Sequence, residues 1–235
     1  LWLDDLRHSY VDLADERHLE FDYARWIGDV IDATVPRRAV FIGGAGFTLP
    51  RYLLATQPAA RALVLELDGE LVDFARQRLA LRTGERLAVR VGDARITLRD
   101  ERTASADLVV GDAFGGRAVP WHLTTREFLH DVRRVLRDGG IYAMNVIDGG
   151  ELRFARAMAA TVRDVFEHVT LVARRGRPGG NLLLLAADKP VPPRALPRGR
   201  AATPYRGAAL VRLIDGAPVL RDDHAPADQL LAPRR

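Results

Sequence analysis

Short apolar runs of five to eight residues alternate with stretches of helical periodicity along most of this chain. The pattern predicts strands at 38–43, 61–67, 87–91, 106–111, 140–147, 168–174 and 181–187. Between them it predicts helices at about 48–57, 69–81, 94–99, 124–137 and 150–166. Apolar-run, helix, apolar-run alternation requires right-handed crossovers and a parallel sheet covered by helices on both faces. The last two runs are joined by the Gly- and Arg-rich loop 175–180, as in an antiparallel hairpin. The fold class expected is therefore α/β, a doubly wound, mostly parallel, seven-stranded Rossmann-like sheet ending in that hairpin. Asp138-Gly139-Gly140 has the composition of a helix stop.

Ahead of the sheet, residues 1–35 are acid-rich and form a separate element. His8–Leu13 reads as a short strand, Ala14–Arg17 as a turn, and Leu19–Ala33 as a helix with Phe21, Trp26, Ile27, Val30 and Ile31 on its apolar side. Pro36 ends that helix. After Lys189 the composition shifts to Pro, Arg and Ala, so 190–203 reads as an extended linker and 190–235 as a tail, with one apolar segment at Ala208–Ile214 and acids at Asp222-Asp223. Three regions follow: 1–35, a Rossmann-like body at 36–189, and 190–235.

A chain of 235 residues, 48% hydrophobic, supports one well-packed α/β core. It has no cysteine, which excludes disulfides, thiolate zinc sites and cysteine nucleophiles, and fits a reducing, cytoplasmic setting. No apolar run approaches the ~20 residues needed to span a bilayer, and Asp4 and Asp5 do not fit the basic start of a secretion signal. The net charge of +4 raises nucleic-acid binding. The arginines are scattered, however, and the clusters Arg174-Arg175-Gly176-Arg177 and Arg194, Arg198, Arg200 lack interleaved aromatics. Lys189 is the sole lysine, a bias of composition rather than function. The histidines at 8, 18, 122, 130, 168 and 224 show no ligand spacing, so no metal is expected; His18 pairs more naturally with Asp22.

In open parallel sheets ligands bind beyond the C-terminal ends of the strands. Those ends here carry Gly43, Gly44 and Gly46, then Glu66, Leu67 and Asp68, then Gly92, Asp93 and Ala94, then Asp112. Glycines let backbone N–H groups approach a ligand, and a carboxylate at the neighbouring strand tip can accept from both hydroxyls of a ribose. Each residue alone has a structural reading: tight turn, helix cap, salt-bridged acid. Acids at three successive tips go beyond turn chemistry. Leu49 stands where a dinucleotide fold needs a small residue, and no Gly-Lys-Ser/Thr closes a phosphate loop. An adenosine bearing a sulfonium fits better, since it needs no phosphate cradle and suits a carboxylate-rich pocket.

The set His8-Ser9-Tyr10-Val11-Asp12, Leu19-Glu20-Phe21-Asp22-Tyr23, the turn Gly43–Arg51, Glu66-Leu67-Asp68, Val91-Gly92-Asp93-Ala94-Arg95 and Asp112-Ala113-Phe114 through Pro120–Phe128 resembles the spermidine synthase (polyamine aminopropyltransferase) superfamily. Leu220-Arg221-Asp222-Asp223-His224-Ala225-Pro226 is similar to that family's Thr-Asp-Asp-Tyr-Ala-Pro tail. The resemblance implies a class I S-adenosylmethionine-dependent methyltransferase-like sheet with a small N-terminal β/α element. It also implies a homodimer, and an aminopropyl donor in decarboxylated S-adenosylmethionine serving polyamine biosynthesis. By position, Glu66 would hold the ribose, Asp93 and Ala94 border the adenine, Asp112 face the reacting amine and Tyr23 line its channel.

Two departures stand out. Gly46 occupies the place of an acid that pairs with the donor's amine, and Asp112-Ala113-Phe114-Gly115-Gly116 replaces Asp-Ser-X-Asp-Pro. Loss of two carboxylates argues against putrescine as acceptor. It also keeps methyl transfer open, because ordinary S-adenosylmethionine carries a carboxylate. That anion could sit at the helix N-terminus after the turn, with Thr48 and Arg51 nearby, although Arg51 reads more readily as a solvent-facing helix residue. His122 either belongs to the loop before a helix capped by Thr124 or covers the acceptor; Trp121 is a pocket wall or a core residue. The tail could fold back over the pocket. The sequence thus supports a transferase with an S-adenosylmethionine-type donor and a small-molecule amine acceptor, aminopropyl by family. The alternatives are a methyltransferase and a catalytically silent adenosyl-binding protein.

Overall fold

A computed structural model describes residues 2–3, 6–7, 9–116, 118–149, 151–176, 179–197 and 202–231, with side chains from Ser9 onward. His8, Asp4, Asp5, Arg177, Arg198 and Arg200, and the first residue of the helix expected from 150, lie outside the described residues.

The elements in chain order are β1 (Trp2–Leu3), β2 (Leu6–Arg7), α1 (Asp22–Thr34), β3 (Arg38–Ile42), α2 (Thr48–Thr56), β4 (Arg61–Glu66), α3 (Gly69–Arg78), β5 (Leu87–Val91), α4 (Ala94–Thr97), β6 (Ala106–Gly111), α5 (Arg126–Val135), β7 (Leu136–Asp148), α6 (Arg153–Val165), β8 (His168–Arg174), β9 (Gly180–Ala187), β10 (Ala202–Tyr205), α7 (Ala208–Ile214) and α8 (Ala227–Leu231). β1 and β2 form a small antiparallel pair. The other eight strands make one sheet in the order β10-β8-β9-β7-β6-β3-β4-β5. Strands β7, β6, β3, β4 and β5 run parallel, and β9 inserts antiparallel between β7 and β8.

Alternation along β3 divides the core. Val40 and Ile42 face a layer that includes Phe128, Leu129, Phe154, Met158 and Val162 of α5 and α6. Ala39 and Phe41 face Ile27, Val30 and Ile31 of α1, Leu53 of α2, and Val72 and Ala75 of α3. This is period-2 geometry in a sheet buried on both sides. α1 buries Tyr23, Ala24, Trp26, Ile27, Val30 and Ile31, the 3.6-residue stripe the sequence announces, and stops at Val35 in the left-handed region, just before Pro36.

The structure departs from the expectations in four places. There are eight strands in the main sheet, not seven: Ala202–Tyr205, partly within the expected linker, pairs antiparallel with β8, Tyr205 facing Leu171. A four-residue strand containing Pro204 has no readable period, and proline is tolerated at a sheet edge. The tail folds onto the body, and Leu220, wholly buried, lies in the same core layer as α6. No strand occupies residues 9–13; the N-terminal strands are β1 and β2 instead. α5 ends at Val135, and Asp138-Gly139-Gly140 falls inside β7, where Ala106 pairs Leu136 but Leu108 pairs Ile141, a bulge rather than a helix stop. His18 Nε2 lies 3.2 Å from Glu20, not paired with Asp22. Among the described residues no helix is long and apolar enough to cross a membrane.

Candidate active site

The strand order reverses between β3 and β6, the position at which open α/β sheets leave a crevice. Backbone bonds fix the tips: Gly43 N–H donates to Leu65 O at 2.8 Å, Asp112 N–H to Ile42 O at 2.9 Å, and Gly92 N–H to Glu66 O at 2.8 Å. Gly43 is required here. Its φ is +89°, and a Cβ would come within 2.6 Å of Asp112 O.

Beyond these tips lies a cavity of about 470 Å³. Tyr23, Gly43, Gly44, Glu66, Leu67, Asp68, Asp93, Ala94, Asp112 and His122 line it, so ten of the residues singled out from the sequence converge. Three others do not line it. Gly46 faces the N-terminal segment, where a Cβ would meet Ser9 Oγ at 2.5 Å and Val11 Cγ2 at 2.6 Å. Gly92, at φ +146°, shapes the turn below Asp93. Trp121 is 51% exposed, neither wall nor core, with its ring edge-on to His122.

On one side of the cavity the carboxylate of Glu66, 7% exposed, is held by the backbone. Oε2 accepts from Gly44 N–H at 2.6 Å and Ala45 N–H at 3.3 Å, and Oε1 accepts from Asp68 N–H at 3.0 Å. Oε1, with a single bond, keeps a lone pair for a further donor. Asp68 caps α3 by accepting from Glu70 and Leu71. Asp93 both caps α4, accepting from Arg95 N–H at 2.7 Å, and faces His122 Nε2 at 3.2 Å. Asp93 is thus a helix cap and part of the cavity lining at once. His122 sits in the short 3₁₀ helix Trp121–Leu123 and lines the cavity, and the cap of α5 is Thr125, not Thr124, whose hydroxyl donates to Trp121 O at 2.6 Å.

On the other side Asp112 projects from the end of β6. Tyr23 Oη donates to its Oδ2 at 3.2 Å and Asn145 Nδ2 to its Oδ1 at 2.8 Å. Burial pushes this carboxyl up to about 7, with the bonds from Asn145 and Tyr23 pulling the other way. Burial, and then the Asp112 charge, raise the Tyr23 phenol well above its ordinary value, so it stays a donor. Asn145 in turn accepts from Asn181 Nδ2 at 3.1 Å, and both amides line the cavity with Phe21, Phe114 and Ile147. Sequence reasoning missed these five. The signal for Asn145 was present: it is a lone polar residue inside the apolar run Tyr142–Ile147 and only 2% exposed.

Neither Thr48 nor Arg51 lines the cavity. Arg51 is 7% exposed and reaches Glu16 at 3.3 Å and the Leu79 carbonyl, neither solvent nor the cavity. The Thr48 hydroxyl donates to Tyr10 O. Among the described lining residues there are four carboxylates, Glu66, Asp68, Asp93 and Asp112, and no arginine or lysine. Among the described residues no cluster of three or more His, Asp or Glu could hold a metal. The site can therefore attract a cation, bind paired hydroxyls and accept a proton at Asp112.

The tail also reaches the rim. Asp222 accepts from Arg95 and, at 2.6 Å, from the Thr125 hydroxyl; Arg95 also donates to His122 O at 2.8 Å. Burial raises the Asp222 carboxyl, but the bonds from Thr125 and Arg95 and the charges of Arg95 and Arg99 outweigh it and leave the group below its ordinary value.

No family model matches the chain. A polyamine aminopropyltransferase of Vibrio vulnificus is 28% identical over 161 residues, covering 67% of this chain; the chain spans 53% of that relative's length. The structure of human methyltransferase-like protein 13, determined with SAH, superimposes with a TM-score of 0.60 at 16% identity over 91% of this chain and 93% of that one, a likeness of fold. A probable spermidine synthase from Corynebacterium glutamicum superimposes with a TM-score of 0.79 at 31% identity, over 88% of this chain and 82% of that one. Sheet order, acid-tipped crevice and this shared sequence agree, and the chain belongs to the spermidine synthase-like family, on a methyltransferase-like fold.

Proposed function

We propose that this chain is a transferase that binds decarboxylated S-adenosylmethionine and moves its aminopropyl group to a small amine. The observation that carries the reading is the charge of the cavity: four carboxylates line its described wall with no arginine or lysine among them. A sulfonium and a primary ammonium are favoured there, whereas the carboxylate of ordinary S-adenosylmethionine would be repelled. The likeness to a polyamine aminopropyltransferase and a probable spermidine synthase supports the same choice.

In this reading Glu66, fixed by Gly44, Ala45 and Asp68, accepts from the ribose hydroxyls, and Asp93 and Ala94 border the adenine. The acceptor enters beside Tyr23 and Asp112. Its neutral nitrogen attacks the methylene next to sulfur; the C–N bond forms as the C–S bond breaks, and the electron pair leaves on sulfur as methylthioadenosine. The proton shed by the new ammonium passes to Asp112, whose value near 7 suits a base at neutral pH. A homodimer and a cytoplasmic setting belong to the same proposal, by family likeness.

Methyl transfer is the second reading, favoured by the fold shared with methyltransferase-like protein 13. Product analysis separates the two. Methylthioadenosine from the decarboxylated donor supports aminopropyl transfer; S-adenosylhomocysteine from the ordinary donor overturns it.

A further inference from the structure

The half of the cavity beside Asp112 has its own chemistry. Its described walls are Asp112, Asn145, Asn181, Ile147, Phe114, Phe21 and Tyr23, with a single carboxylate among them. At the next positions along the loop stand Gly115, with open space where a Cβ would be, and Gly116, which lines the cavity and is equally open. From Asp112 a row of two amides leads away: Asn145 Nδ2 gives one bond to Asp112 at 2.8 Å, and Asn181 Nδ2 gives one to Asn145 at 3.1 Å. An amide has two N–H donors and an oxygen with two lone pairs, so this relay leaves each side chain with hydrogen-bonding capacity to spare. The strand register places the row: Ile147 of β7 pairs Asn181 of β9, so Asn145, two residues before Ile147, shares their face of the sheet.

Resting on the aminopropyltransferase reading, we infer that the acceptor is an amine whose far end is an uncharged hydrogen-bonding group, such as an alcohol or amide, and not a second ammonium. Asp112 takes the reacting nitrogen, and the Asn145–Asn181 pair reads the far end. An ammonium placed there would be stripped of water with no carboxylate to replace it, whereas a hydroxyl or carboxamide finds both a donor and an acceptor. A further acid, Glu20, lines a smaller recess of about 30 Å³ that shares Phe21, Tyr23 and Asp112 with the cavity, and lies 3.2 Å from His18. It does not line the larger cavity.

The test pairs ω-amino alcohols with α,ω-diamines of matched chain length. Calorimetry on the protein saturated with methylthioadenosine gives their affinities, and methylthioadenosine release gives their turnover. The amino alcohol is expected to be favoured by roughly tenfold or more in affinity and in kcat/KM. Asn181→Asp is expected to reverse the order toward the diamine, and Asn181→Ala to weaken the amino alcohol alone. Equal or better use of the diamine by the unaltered protein overturns the inference. So does an Asn181→Asp variant with an unchanged ratio, or a diamine preference that disappears in Glu20→Gln, which would place the second nitrogen in the recess. Failure of decarboxylated S-adenosylmethionine and methylthioadenosine to bind at all would instead overturn the donor reading, and this inference with it.

Discussion

The phenolic hydroxyl of Tyr23 donates to Asp112 Oδ2 at 3.2 Å, joining α1 to the tip of β6 across 89 positions of chain. Both side chains face the cavity, and Asn145 holds the other carboxylate oxygen. Asp112→Asn keeps the shape and one bond but removes the base, so kcat should fall by roughly 10²–10⁴-fold. Tyr23→Phe removes one stabilising donor from the ionised carboxylate. The pH–rate midpoint of that variant should move upward from the wild-type position, read from kcat/KM profiles.

The same carboxyl governs a pH dependence of stability. Its folded value, about 7, lies above the ordinary 3.8. The native state therefore holds a proton that the unfolded chain has released, and stability falls as pH rises between those values. Asp112→Asn has no such liability. Thermal unfolding should find that variant more stable than wild type at about pH 8, with the gap closing towards pH 4.

Gly43 stands where the chain turns under the ligand. Gly43→Ala would force a Cβ to within 2.9 Å of Ala113 Cα as well as against Asp112 O, at a φ that L residues rarely adopt. The loss should be at least about 1–3 kcal/mol in denaturant unfolding, with donor binding lost in parallel.

Asp222 touches nothing in the cavity, yet it holds Arg95, which in turn holds the backbone of His122. Asp222→Ala should leave the tail packed through Leu220, whose N–H donates to Thr161 Oγ1 at 2.9 Å. Donor affinity should weaken roughly 3–10-fold with little change in kcat. Calorimetry alongside steady-state kinetics separates this positioning role from a general loss of fold.

The sheet was legible because β3, β4, β6, β8 and β9 are apolar runs buried on both faces, and α1 repeats its apolar residues at helical spacing. The acids at the tips were legible for the same reason: once a strand is located, its C-terminal end is fixed. What could not be read depends on contacts distant in sequence. β10 is a strand only because β8 offers it an edge. Arg51 looks like a surface residue of α2 until Glu16 and the Leu79 carbonyl, 35 and 28 positions away, enclose it. Gly46 shares its turn with Gly43 and Gly44, but its bare Cα accommodates Ser9 and Val11, a contact no local pattern encodes. Asn181 was hidden at the start of an apolar strand, and only the β7–β9 register brings it to Asn145.

The central claim is most directly tested by calorimetry of decarboxylated S-adenosylmethionine on three proteins. The wild type should bind it; Glu66→Ala should lose roughly tenfold or more in affinity, through the ribose hydroxyls; and Asp112→Asn should bind within a few-fold of wild type while releasing no methylthioadenosine. Absence of binding by the wild type, or loss of binding in Asp112→Asn with Glu66→Ala unaffected, would contradict the account.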